Sequence, residues 1–164
     1  MRARAAPQKA RGFTLLELLV VVVIIAVMVG LAGVQLMRSP GEAVRDESER
    51  LALLLQAARE EAILQGRVFA FGAGRESYRF LRLERDGKLK IAEDDELLRP
   101  RRLAAGVAIE SFQVEGAAGD VPQEGVVFLP SGDLPAFRIL LAGGGARWSV
   151  VGAPDGTIRA QAGS

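Results

Sequence analysis

Residues 11–18 read Arg11-Gly12-Phe13-Thr14-Leu15-Leu16-Glu17-Leu18 and open an apolar run that continues through Val20, Val21, Val22, Val23, Ile24 and Ile25 to Val34. Between positions 13 and 37 there are 25 residues and one charge, Glu17. As a helix this stretch spans about 37 Å, enough to cross a bilayer core of roughly 30 Å. The run is apolar on every face, the pattern of a helix immersed in lipid or in a helix bundle.

The charges of the chain are distributed around this run. Of 164 residues, 41 are charged, yet mean hydropathy is positive at +0.20. Residues 1–12 hold Arg2, Arg4, Lys9 and Arg11 and no acid, while residues 38–164 carry about 28% charge, as a soluble domain does. The leading basic residues place 1–12 in the cytoplasm and the C-terminal domain outside. The sequence has neither Cys nor His. This excludes a disulfide, a thiol nucleophile, a Ser-His-Asp triad and a zinc finger. A conventional secretory signal is the competing reading, with Gly30-Leu31-Ala32 as a weak cleavage site. Against it, the run exceeds an ordinary apolar signal core of about 7–15 residues. It also carries Glu17, and an acid in lipid costs about 2.5–3.5 kcal/mol unless it has a functional partner.

The stretch 11–18 resembles the class III signal of type IV pilins and of the pseudopilins of type II secretion systems. The resemblance implies that a prepilin peptidase cleaves the Gly12–Phe13 bond and methylates the new amine of Phe13. It also implies that Glu17 supports assembly. The residue types suit these roles. Gly12 lets an extended backbone lie close in a protease site. Glu17 of one subunit can neutralise the cationic terminus of a neighbour, since both are unfavourable alone in an apolar bundle.

Ser39-Pro40-Gly41 interrupts or bends the apolar helix. Residues 42–65 then show helical amphipathic spacing, with Val44, Leu51, Leu54, Leu55, Ala58 and Ala62 on one stripe. Arg45, Asp46, Glu49, Arg59 and Glu60 occupy the other face, and Gly66 is a C-cap. Beyond it the punctuation is that of strands, expected at 68–71, 78–83, 89–92, 107–114, 126–129, 137–141, 148–151 and 157–159. Arg85-Asp86-Gly87 and Pro130-Ser131-Gly132-Asp133 read as hairpin signals. Imperfect alternation at Tyr78, Phe80 and Leu83 predicts a bulge or a shifted boundary.

A long helix followed by short strands is α+β. In pilin-like form, the helix packs its C-terminal half on an antiparallel sheet. The expected organisation is a cleaved leader at 1–12, a transmembrane helix at 13–37, its amphipathic continuation at 38–66 and a periplasmic β-rich domain at 67–164. Four further stretches resemble the GspH/FimT branch of the family: the helix end Arg59-Glu60-Glu61-Ala62-Ile63 followed by Gly66, the turn Val126-Val127-Phe128-Leu129-Pro130-Ser131-Gly132, and the closing strands Pro135-Ala136-Phe137-Arg138-Ile139-Leu140-Leu141 and Asp155-Gly156-Thr157-Ile158.

Other features read as structure. Asp94-Asp95-Glu96 is a solvated loop, because three adjacent side chains cannot converge on one cation. Gly72-Ala73-Gly74 is a loose turn, Gly143-Gly144-Gly145 a flexible loop, and Arg99, Arg101 and Arg102 a solvated basic loop. No catalytic constellation, cofactor motif or metal site is legible. Without the leader the chain is net −3, which fits poorly with nucleic-acid binding.

The resemblance therefore implies a non-enzymatic, single-pass inner-membrane subunit, an H-type minor pseudopilin supporting export of folded proteins. Its implied partners are the prepilin peptidase/methyltransferase, other minor and major pseudopilins, the inner-membrane secretion platform and secreted cargo, with no nucleic acid. The alternative within the family is a FimT/FimU-like minor pilin of pilus assembly or DNA uptake. Outside it, the alternative is a membrane-tethered domain with an uncleaved anchor.

Overall fold

The structure, a computed structural model, describes residues 15–36, 40–115 and 125–163. The leader and the Gly12–Phe13 bond lie outside the described residues. The chain divides into two compact units, residues 1–38 and 39–164.

In the first unit, Leu15–Leu36 forms the 22-residue helix α1. Its run of Val and Ile is β-branched, yet the run is helical, as expected where an apolar surround leaves no other partner for the backbone groups. Among the described residues, no helix is long and apolar enough to cross a membrane.

The second unit begins with helix α2, Pro40–Gln65. Pro40 is the first residue of this helix, a position whose N–H has no intrahelical acceptor in any case. The expected stripe is its core face: Val44, Leu51, Leu55, Ala58 and Ala62 have no exposed surface, and Leu54 is buried beside them. At the other end Gly66 adopts a left-handed backbone (φ 62°), and Arg67 N–H donates to the Ala62 carbonyl at 3.1 Å. That is the Schellman closure, so the predicted C-cap stands where the spacing put it.

Among the described residues nine strands follow, in two antiparallel sheets. The first sheet contains β1 (Phe69–Ala73), β2 (Ser77–Leu83), β3 (Leu89–Ile91), β4 (Arg101–Arg102) and β6 (Val126–Phe128). Its order is β3-β2-β1-β6, and β4 also pairs with β2. The second contains β5 (Ala108–Val114), β7 (Phe137–Gly143), β8 (Ala146–Gly152) and β9 (Ile158–Ala162), in the order β5-β7-β8-β9. Helix α2 packs on strands of both sheets. Phe71 joins the layers, with its ring 5.3 Å from Phe80 in its own sheet and 5.7 Å, edge-on, from Phe112 in the other. Edge-to-face pairs of this kind contribute about 0.5–1.5 kcal/mol beyond the area they bury.

Several expectations are corrected. Pro130-Ser131-Gly132-Asp133 does form a turn, closed by Gly132 N–H to the Leu129 carbonyl at 2.9 Å. It makes no hairpin, because β6 pairs with β1 while β7 pairs with β5 and β8. Of the two alternatives for β2 the shifted boundary holds, since the strand begins at Ser77, and no bulge interrupts its register from Phe69↔Arg82 to Ala73↔Tyr78. The register shift lies in β5 instead, between Ile109 and Ser111. Gly72 and Ala73 belong to β1, and Gly144-Gly145 is a tight two-residue hairpin between Gly143 and Ala146, not a flexible loop. Arg101 and Arg102, expected in a solvated loop, form β4 opposite Tyr78 and Ser77.

Candidate functional site

The sequence-predicted site residues are Gly12, Phe13 and Glu17. The first two lie outside the described residues. Glu17 is the acid of the first turn of α1, where the helix dipole favours an anion, and it is exposed. Around it Leu15, Leu16, Leu18, Leu19 and the following valines and isoleucines are also exposed. A helix that presents apolar side chains in every direction needs an apolar medium or other helices to cover it, and Glu17 is the single carboxylate it carries there.

In the second unit the structure joins stretches that are 70 or more residues apart. Arg59 leaves the face of α2 on which it was expected to be solvated and is half-buried. Its Nε–H donates to the Gly132 carbonyl at 3.1 Å. The same guanidinium lies against Gly156, where an added Cβ would stand 2.4 Å from Nη2. Gly132 (φ 83°) and Gly156 (φ 87°) hold left-handed backbone that side chains disfavour. Three of the stretches that resemble the GspH/FimT pattern thus meet in one contact: the end of α2, the β6–β7 turn and the β8–β9 turn. Their spacing in sequence gave no hint that they meet.

The β8–β9 turn is itself built by hydrogen bonds. Gly156 N–H donates to the Ala153 carbonyl at 2.9 Å, and Ala153 N–H donates to the Thr157 carbonyl at 2.9 Å. Thr157 backbone N–H donates to Asp155 Oδ1 at 2.8 Å. This bond, and the Thr157 hydroxyl, hold the Asp155 carboxyl below the usual carboxylate range, with Arg159 and Arg59 adding to the effect. The β2–β3 turn repeats the device, with Lys88 N–H donating to Asp86 Oδ1 at 3.1 Å. Near the start of α2, Glu47 is buried and paired with Arg50 at 2.5 Å, and Arg50 Nη2 also reaches the Tyr78 hydroxyl at 3.4 Å. Burial pushes the Tyr78 phenol up, and the Arg50 charge opposes that shift.

A cavity of about 960 Å³ lies between the β1–β2 connection and the β5–β7–β8 strands. It holds Arg75 and the ion pair of Arg147 with Glu110 at 3.0 Å. Its residues offer no nucleophile with a base to activate it. Among the described residues, no group of three Asp or Glu is arranged to hold a metal ion. Asp94 and Glu96 are exposed, and Asp95 Oδ1 is occupied by the N–H groups of Leu97 and Leu98 at 2.9 and 2.8 Å.

Comparison with known proteins follows the same division of the chain. Residues 47–156 match the family described as type II transport protein GspH, and residues 7–33 match the prokaryotic N-terminal methylation motif. The type II secretion system protein H of Pseudomonas aeruginosa is 35% identical over 147 residues, which cover 81% of this chain and 83% of that protein. The crystal structure of the minor pseudopilin EpsH from the type II secretion system of Vibrio cholerae aligns with a TM-score of 0.64 at 22% identity, over 76% of this chain and 96% of that one. The solution structure of E. coli GspH aligns with a TM-score of 0.57 at 18% identity, over 77% and 94%. The two structures are similar in fold: a helix packed on antiparallel sheets.

Proposed function

The chain belongs to the GspH family of minor pseudopilins of type II secretion, and from that premise we propose how its two units divide the work. The prepilin peptidase removes residues 1–12 at the Gly12–Phe13 bond and methylates the Phe13 amine. The mature subunit is held in the inner membrane by residues 13–37, with its second unit in the periplasm. There it joins other minor and major pseudopilins above the inner-membrane platform, in a short filament that drives folded cargo toward the outer membrane. The protein acts by assembly and carries out no reaction of its own.

One observation carries this reading: a methylation motif at 7–33 precedes a GspH-type domain at 47–156 in a single chain. The physical chemistry supplies the roles. Cleavage leaves an ammonium at the end of an apolar helix, and burying it among neighbouring helices is unfavourable without an anion. Glu17 lies in the first turn of α1. A carboxylate there can accept the ammonium of the adjacent subunit and so set the axial register of insertion. The α2 stripe, by contrast, is used up inside the subunit and holds the sheets to the helix.

Complementation of a strain lacking the endogenous subunit tests the two halves separately. Gly12→Val fills space that the backbone must approach in the protease, so a full-length membrane precursor accumulates. Glu17→Ala is processed normally and assembles poorly, with reduced secretion. Normal secretion by Glu17→Ala would remove the carboxylate from the mechanism, and normal processing of Gly12→Val would remove the proposed bond.

A further inference from the structure

A strand at the edge of a sheet leaves a row of N–H and C=O groups open to pairing with another chain, and folds normally blunt such edges. In the first sheet β3 and β6 have three residues each and β4 has two, and β3 carries Lys90. In the second sheet, edge strand β5 is interrupted by the register shift between Ile109 and Ser111, and the Ile109 N–H donates to the Arg75 carbonyl at 2.8 Å. Strand β9 is the other edge of that sheet and has none of these devices. Its five residues include no Pro, Gly or Lys, and its register on β8 runs unbroken from Gly152↔Ile158 to Trp148↔Ala162.

The hydrogen bonds at the two ends of β9 fix which of its groups are open. Ala153 N–H donates to the Thr157 carbonyl and Gly163 N–H to the Arg147 carbonyl, both at 2.9 Å. Antiparallel pairing alternates, so the main-chain groups of Arg159 and Gln161 face β8 and those of Ala160 and Ala162 face away from it. Among the described residues, these outward groups bond to no other main-chain group. Ala160 keeps part of its surface and Ala162 is exposed. The side chains alternate between faces: Ala160 packs on the core, and Arg159 lies on the opposite, solvent face. There the register Arg138↔Val151↔Arg159 sets two exposed arginines on either side of Val151. Arg159 acts on Asp155 of the adjoining turn through its field, but neither arginine joins an ion pair among the described residues.

We propose that β9 is a strand-addition site that receives, antiparallel, an extended segment of a partner protein with an Asp or Glu opposite Arg159. Ala160 and Ala162 each give one N–H and one C=O to the segment as hydrogen-bonded pairs. Arg159 falls in the intervening non-hydrogen-bonded pair, where facing side chains approach most closely. A carboxylate at that point balances the cationic row, and a basic residue is repelled. A second copy of β9 offers no carboxylate, since its sequence is Ile158-Arg159-Ala160-Gln161-Ala162. The site lies within the second unit, so the proposal does not depend on the secretion reading and its test needs no secretion machinery.

The test follows backbone amide resonances and hydrogen exchange of the full chain in detergent micelles. The probes are the peptide acetyl-Thr-Val-Thr-Val-Glu-Val-Thr-amide and the same peptide with lysine in place of glutamate. The acidic peptide is expected to shift the Ala160 and Ala162 amides saturably and to slow their exchange roughly tenfold, while the basic peptide binds roughly threefold more weakly. Arg159→Glu, at an exposed position, is expected to invert that preference. Ala160→Pro removes an N–H that faces away from β8, which an edge strand tolerates, so Tm should hold while binding is lost. No saturable shift with the acidic peptide, Ala160 and Ala162 amides already slow to exchange in the free chain, or equal binding by Ala160→Pro would overturn the proposal. An unchanged charge preference in Arg159→Glu would overturn the assignment to an acidic segment. Protection of the same amides that grows with protein concentration, without peptide, would overturn the partner assignment in favour of a second copy.

Discussion

Gly156→Ala should destabilise the second unit out of proportion to the single methyl it adds. At φ 87° an L side chain is strained by about 1–2 kcal/mol. The new Cβ also falls 2.4 Å from Arg59 Nη2. Arg59 is flexible enough to swing away, but doing so gives up its bond to the Gly132 carbonyl, a charged hydrogen bond with a net contribution of about 1.5–3 kcal/mol. Together the two effects come to roughly 3–4 kcal/mol, after the charged bond is discounted because Arg59 is only half-buried. In a unit of this size that is a fall in Tm of about 10–15 °C. Urea unfolding of residues 39–164, the unit that contains the whole core, measures it in a double-mutant cycle with Arg59→Ala. In the Arg59→Ala background, Gly156→Ala should cost only the backbone strain, which leaves a coupling of about 1.5 kcal/mol or more. Additivity within about 0.5 kcal/mol would refute the contact as the link between the three turns.

Three further outcomes follow from the core and the titrating groups. Leu55→Ala, at the fully buried centre of the α2 stripe, should cost about 2–5 kcal/mol in the same urea assay. Asp155 has a folded pKa below its unfolded value, so its stabilisation is present above about pH 4 and is lost as pH falls through the folded value. Asp155→Ala should therefore lower stability at neutral pH, flatten the acid limb of a stability–pH curve and leave stability below the folded value nearly unchanged. Tyr78 is the single tyrosine and its pKa is raised by burial, so absorbance should titrate above the ordinary value of about 10 while the fold persists. Its stabilisation is complete below that pH and is lost as pH rises through the folded value. A midpoint at or below 10 in the folded protein would contradict the burial.

What the sequence disclosed was what local pattern encodes. The stripe from Val44 to Ala62 repeats at helical period, and Gly66 can end a helix by its own backbone freedom, so α2 and its cap were readable. Arg85-Asp86-Gly87 is a hairpin because its Asp bonds its own turn, which needs no distant residue. Apart from the local Gly144-Gly145 hairpin, the main misreadings involve distant partners. Pro130-Ser131-Gly132 spells a turn, but nothing in those residues states that Phe128 will pair with Phe69 while Phe137 pairs with Val114 and Gly152. Arg101 and Arg102 look like solvated charges until the β2 edge at Ser77 and Tyr78 receives them. Arg59 sits among charged neighbours on the helix, and only the meeting of two glycine turns beside it removes it from solvent. At the N-terminus the reverse holds: the motif at 11–18 carries its chemistry in its residue order, which is why site residues could be named before any geometry was known.

The central claim is that this chain is a processed pseudopilin subunit, and the mass of its N-terminal peptide tests it most directly. The full-length chain is expressed with and without the prepilin peptidase, and the membrane fraction is digested and analysed. With the peptidase, the N-terminal peptide should begin at Phe13 and carry one added methyl group; without it, residues 1–12 should remain attached. An intact Gly12–Phe13 bond in the presence of active peptidase would contradict the account and leave an uncleaved membrane anchor in its place.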